Sequence, residues 1–335
     1  MDIVNNMKSP FTGKEMEIVY EERTWNFRNE EYKYIHAAWL CTDTGEQFTS
    51  NEMDDASYMQ VTNQYRAQYG IPFTDEIITT RKNYGISAAK MSQILGIGIN
   101  QWRNYEAGEV PNVSNGRMIR SIMNPSTFME YVISAKNILG EKEYHKLAKK
   151  VESFTESCQN LEIINHDLRR VYQCERSKEN GFAPQSLYRL KNILMYLIEN
   201  CGEIFLTKMN KLLFYTDFLS YREYGIAMTG LTYRAIEHGP VPERWDRVYS
   251  QFDEIYLEPK SYGEKEGYVL KSDRHADLDI FTPSEIKTLD IICSEFKNYT
   301  STKMTAISHE ESAWIDNVKE YHRIPFESAF KLKAI

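Results

Sequence analysis

The stretch "FTDEIITTRKNYGISAAKMSQILGIGINQWRNYEAGEVP", residues 73–111, decides how the rest of the chain is read, because its punctuation marks out three short helices. Thr74 or Asp75 is placed to cap a first helix running to Tyr84, and Gly85 to stop it. Ser87 caps a second, "AAKMSQIL", and "GIG" at 96–98 turns the chain into a third, "INQWRNYEAG". Two short helices joined by a Gly-containing turn are the pattern of a helix-turn-helix. Trp102 and Tyr105 sit three apart and face inward with Ile97 and Met91. That leaves Ile99, Asn100, Gln101, Arg103 and Asn104 outward or at the helix start, with Ser87 and Lys90 at the start of the helix before. Asn and Gln can bond adenine bidentately, Arg can bond guanine or phosphate, and Ile can touch a thymine methyl, so these seven are the candidate DNA contacts.

Leu95, Gly96, Tyr105, Glu106 and Gly108 match the "LG", turn and aromatic-Glu-Gly pattern of the Xre/Cro type of helix-turn-helix, which this segment resembles. Two positions depart from that family. Ala88 stands where it often has a DNA-contacting Gln, and Ser92 where it usually has a small Ala at the helix contact.

Working outward toward the N-terminus, "MKSPFTGKEM" (7–16) and "CTDTGEQF" (41–48) have the layout of a zinc knuckle with its metal-binding letters replaced. A structural zinc site needs four ligands, commonly two CxxC pairs, and here the positions are Ser9, Thr12, Cys41 and Thr44. Hydroxyls do not replace thiolates. A rearranged site of Cys41 with His36 has too few ligands as well. The period-two stretches "EMEIVYEE" and "YKYIHAAWLC" therefore predict a metal-free antiparallel sheet held by Phe11, Tyr34, Trp39 and Phe48. The first two segments together resemble MqsA-type antitoxins, which join a zinc ribbon to such a helix-turn-helix; the resemblance implies a degenerate ribbon and operator binding.

Toward the C-terminus, Leu147, Val151, Phe154, Cys158, Leu161, Asn165, Leu168 and Tyr172 alternate spacings of four and three. That is a heptad seam with Asn165 at an a position, which suits a parallel homodimer. Ile164 and Val171 broaden the stripe, which equally suits a helix packed on its own protein. Past the turn signals "KENGFAP" (178–184) come two amphipathic helices, "SLYRLKNILMYLIENCG" and "TKMNKLLFYTDFLSYREYG". Next are "YRAIEHGPVPERW", a hairpin of "IYLEPK" with "GYVLKS", and "TPSE", where Thr282 caps a helix with Pro283 first and Glu285 third. "LTKMNKLLFYTDFLSYREYG", "YRAIEHGPVPERW" and His309 to Trp314 resemble the SocA-like antitoxin domain, also called Panacea. The resemblance spans residues 186–325 and implies a neutralising module for a partner toxin encoded by an adjacent gene.

The predicted fold class is α+β, mainly α. It comprises a small N-terminal antiparallel β domain at 1–70, the helix-turn-helix at 71–125, a helical linker at 126–183, and at 184–335 a mostly helical domain with a β-hairpin. Net charge is −8, and only 74–125 carries more basic than acidic residues, six against four, which excludes a general nucleic-acid coater but not a short DNA reader. The five cysteines show no paired spacing, so reduced thiols and a cytoplasmic location are expected. No apolar run is long enough to span a bilayer.

His238, His275 and His309 lie near carboxylates, but no HExxH, GxSxG or phosphate-binding loop is present, and no cofactor is implied. His238-Gly239-Pro240 reads as a turn before a helix, and His309 with Trp314 as packing at a helix end. The sum is a non-enzymatic antitoxin that neutralises a toxin through its C-terminal domain and represses its own operon. The rivals are a transcription regulator sensing another ligand and an adaptor delivering its partner to a protease.

Overall fold

The computed structural model describes residues 7–158, 168–262 and 265–335. Their contacts form two compact units, one within Met1–Val61 and Leu168–Ile335, the other within Thr62–Asp167.

In the first unit, strands β1 (Glu17–Phe27), β2 (Glu30–Leu40) and β3 (Gln47–Phe48) form an antiparallel sheet in that order. Glu17 lies opposite Leu40, and Trp39 opposite Phe48. β3 covers only the end of β2. Further along that strand, the backbone N–H and C=O of Ile35 bond the side-chain amide of Gln60, at 3.0 and 2.9 Å, from helix α1 (Asn51–Tyr69). The buried glutamine thus closes part of an edge that would otherwise offer itself to another chain. Met16, Trp39 and Cys41 make the small core, with Ile18 and Phe48 against it. Phe11, expected in that core, is 64% exposed and meets only the rim of Phe48, at 5.9 Å. It sits in a tight turn whose Ser9 hydroxyl accepts the N–H groups of Phe11 and Thr12, which carries the ring outward.

The second unit holds α2 (Thr74–Tyr84), α3 (Ala88–Leu95), α4 (Gln101–Glu106), α5 (Val113–Ile122), α6 (Pro125–Ser134), α7 (Lys136–Leu139) and α8 (Glu141–Cys158). Gly85 and Gly96 end α2 and α3 in the left-handed conformation, as a C-terminal glycine allows. The cap of α2 differs from expectation. Phe73 holds the cap position, and its N–H bonds the Glu76 carboxylate at 2.8 Å, so Thr74 and Asp75 lie inside the helix. Tyr84, Met91, Trp102, Tyr105 and Phe128 are buried together, and Tyr84 stacks on Phe128 at 3.9 Å. Leu147 and Val151, the first positions of the heptad seam, are taken up in this same core, and Phe154 meets Tyr84 edge-on. Leu161, Ile164 and Asn165 fall outside the described residues.

The remainder of the first unit is built round α10 (Leu206–Tyr224), buried on nearly every side. Before it comes α9 (Leu187–Asn200). After it come the hairpin β4 (Tyr233–Ile236) with β5 (Gly239–Pro242) and α11 (Trp245–Tyr249). The hairpin β6 (Ile255–Tyr262) with β7 (Lys265–Ser272) is next, then α12 (Pro283–Phe296), α13 (Ser301–Ser308) and α14 (Ser312–Ile315). Thr282 and Glu285 form the expected capping box of α12. Glu237 and His238 instead form the tip of the β4–β5 hairpin, and Gly239, at φ 99°, starts the returning strand opposite Ile236. Cys201, after α9, is joined to Cys293 in α12 by a disulfide, contrary to the expectation of reduced thiols; a pair 92 residues apart leaves no local spacing to read. No described helix is long and apolar enough to cross a membrane.

Candidate functional site

In α2 to α4 the inward residues fix the outward ones. Ser87 caps α3 by accepting the N–H of Lys90. The Ser92 hydroxyl, at the position read as a departure from the family, accepts the N–H of Trp102 at 3.0 Å, so this serine ties α4 to α3. Glu106 receives Nε and Nη2 of Arg81, at 2.6 and 3.1 Å, and the Trp102 indole N–H at 2.8 Å. Buried Arg66 donates to the carbonyls of Pro72, Gly108 and Glu109, holding the loop that leaves α4. With α4 locked in this way, Ile99 is 75% exposed beside exposed Asn100, Arg103 and Asn104. Gln101 is half-buried, and its amide donates to Glu109 at 2.8 Å. Ser87 and Lys90 are placed differently. They line a cleft of about 180 Å³ with Glu143, Lys146 and Lys150 of α8, where Lys90 pairs Glu143 at 3.0 Å and Lys150 donates to the Gly85 carbonyl. Sequence reasoning missed Lys146 and Lys150, since nothing local ties α8 to α3.

Ser9, Thr12, Cys41 and Thr44 lie together at the two turns of the N-terminal sheet. Ser9 and Thr44 donate hydrogen bonds to the Cys41 sulfur, which holds its pKa down at about 7, and Thr12 Oγ1 lies 3.9 Å from it. Gly13 and Gly45 close the two turns by donating to the carbonyls of Ser9 and Cys41. His36 is turned toward the Tyr34 ring. Among the described residues no group of three His, Cys, Asp or Glu side chains is placed to hold a metal.

In the C-terminal part, Asp217 is wholly buried on α10 and accepts from the N–H groups of Met228 and Thr229, at 2.8 and 2.7 Å, and from the hydroxyls of Thr229 and Tyr233. Burial raises its pKa against the pull of those donors. The carboxylate ties α10 to the segment that leads into β4. His309 stacks on Trp314 at 3.9 Å, and burial lowers its pKa, helped by the nearby charges of Lys211 and His238. His275 pairs with Glu199 at the surface, so the three histidines do not share one centre.

Beside the β4–β5 hairpin lies a cleft of about 420 Å³ lined by Arg234, Glu243, Arg244, Trp245 and Arg323 among others. Glu243 accepts from Thr232, Arg234 and Arg323, which draw its pKa down against its burial. Arg244 adopts the left-handed conformation at φ 54°, unusual for a residue with a Cβ, and Trp245 is 39% exposed next to it. Exposed tryptophan and arginine are the residue types that anchor protein interfaces.

No curated protein and no solved structure matches the chain. Residues 209–315, from within α10 to the end of α14, match the family model described as "Antitoxin SocA-like, Panacea domain", and this part of the chain is similar to that family.

Proposed function

We propose that this chain is the antitoxin of a type II toxin–antitoxin pair, neutralising a partner toxin by direct binding through its C-terminal region. The observation that carries the reading is the match of residues 209–315 to an antitoxin domain. The cleft at Trp245, Arg234 and Arg323 supports a steric mode, because it combines an aromatic anchor with arginines held in place by Glu243. The outward residues of α4 support a second role, binding of operator DNA to repress the chain's own operon. A two-fold operator would call for a homodimer, tested by sedimentation of the wild type against Leu161→Lys.

The test is growth of cells induced for the neighbouring open reading frame, with and without this chain. Relief of arrest by the full chain, reduced by Trp245→Ala with Arg323→Ala, is expected. Arrest that the chain cannot relieve would turn the reading to a regulator with another ligand.

A further inference from the structure

A cleft of about 600 Å³ opens where α10 begins and where α12 gives way to α13. Its size is that of small-molecule sites, which run from ~300 to ~1,000 Å³. Phe205 and Tyr299 line it as apolar surfaces. Lys208 lines it too, and is 1% exposed. Its ammonium donates to the carbonyls of Cys201 and Lys297, at 3.0 and 3.1 Å, which uses two of its three N–H groups. No carboxylate among the described residues forms an ion pair with it. Glu203 also lines the cleft and its charge acts on Lys208, but its ion pair is with Lys260, so part of the desolvation cost of the buried ammonium is left for an anion to offset.

Other donors collect at the same place. Ser301 lines the cleft, and its hydroxyl is buried and has no hydrogen-bond partner among the described residues. Ser301 and Thr302 open α13, so their backbone N–H groups have no acceptor within the helix, while the Thr300 hydroxyl takes the N–H of Lys303.

We propose that this cleft binds a small organic carboxylate with an aryl or alkyl body, its anionic group held by Lys208 and the Ser301 hydroxyl and its body lying on Phe205 and Tyr299. The site goes beyond the antitoxin reading and stands whether or not the chain neutralises a toxin. It gives the C-terminal region a means of responding to a metabolite.

Calorimetric titration of the full chain with phenylacetate, and with its uncharged isostere phenylacetamide, tests this. Phenylacetate is expected to bind saturably at one site and the amide about tenfold more weakly, the factor of one hydrogen bond to a charged group. Ser301→Ala should weaken phenylacetate several-fold, by roughly the same hydrogen-bond scale, and the amide less, since its neutral carbonyl accepts the weaker bond. Lys208→Met should erase the difference between the two ligands. Should Lys208→Met not fold, Ser301→Ala and the ligand pair decide. Equal affinities for acid and amide, no saturation with phenylacetate, or an unaltered affinity in Ser301→Ala would each overturn the proposal.

Discussion

Lys211, near the middle of α10, is wholly buried, its ammonium has no hydrogen-bond partner, and burial brings its pKa down to about 8. A lysine in the unfolded chain titrates at about 10.4. Between those values the unfolded chain keeps the proton and the folded chain has lost it, so raising the pH through that window stabilises the fold. His309 does not contribute there, because its pKa lies below the usual histidine value. The gap corresponds to about 3 kcal/mol of penalty for the charged form near neutral pH. Lys211→Met is expected to stabilise the protein to urea by about 1–3 kcal/mol near neutrality and to reduce the rise in stability above about pH 8, to which buried Lys208, its pKa also lowered, adds in the same direction. A wild type whose stability is flat across that window would contradict it. The sequence marked Leu212, Leu213, Tyr215 and Phe218 as the apolar set of this helix, but gave no sign that Lys208, Lys211 and Asp217 also lie inside. A helix packed on all sides buries its polar positions, and periodicity reports only the apolar stripe.

At the level of elements, α2 to α4 were legible because their signals are local. Ser87, Gly85 and Gly96 each act within a few residues of themselves, and each sits where the spacing put it. The place of α8 was not legible, since Leu147 and Val151 fit a dimer seam and an intramolecular core equally well; the burial of both beside Tyr84 decides between them for this half of the seam. The candidate DNA contacts divide accordingly. If α4 reads bases, Arg103→Ala with Asn104→Ala should lower affinity for the upstream promoter by at least ~1–3 kcal/mol, and unchanged binding at moderate salt would remove the assignment. If the cleft of Lys90, Lys146 and Lys150 meets the phosphate backbone, Lys146→Ala should weaken all sequences alike and lower the slope of binding against salt by about one; a change confined to one sequence would speak against it. Arg66 underlies both. Its guanidinium holds three backbone carbonyls, and Arg66→Ala should cost about 3 kcal/mol or more by leaving them unpaired, seen as a lower urea midpoint.

Across the whole molecule, the chain makes two compact units, so thermal unfolding is expected in two transitions. Cys201 and Cys293 lie 92 residues apart, and closing a loop of that length restricts the unfolded chain by about 4–5 kcal/mol in the loop-entropy account. Cys201→Ser with Cys293→Ser should therefore lower one transition and leave that of Thr62–Asp167 in place; two unmoved transitions would show that the bond contributes nothing. The N-terminal sheet needs no such covalent tie. Ser9, Thr12 and Thr44 gather round the Cys41 sulfur, and hydrogen bonds to that single atom join the two turns. If hydroxyls round one sulfur close this part of the fold, a chelator is expected to leave its unfolding midpoint where it is, and a midpoint that falls on chelation would show a bound ion.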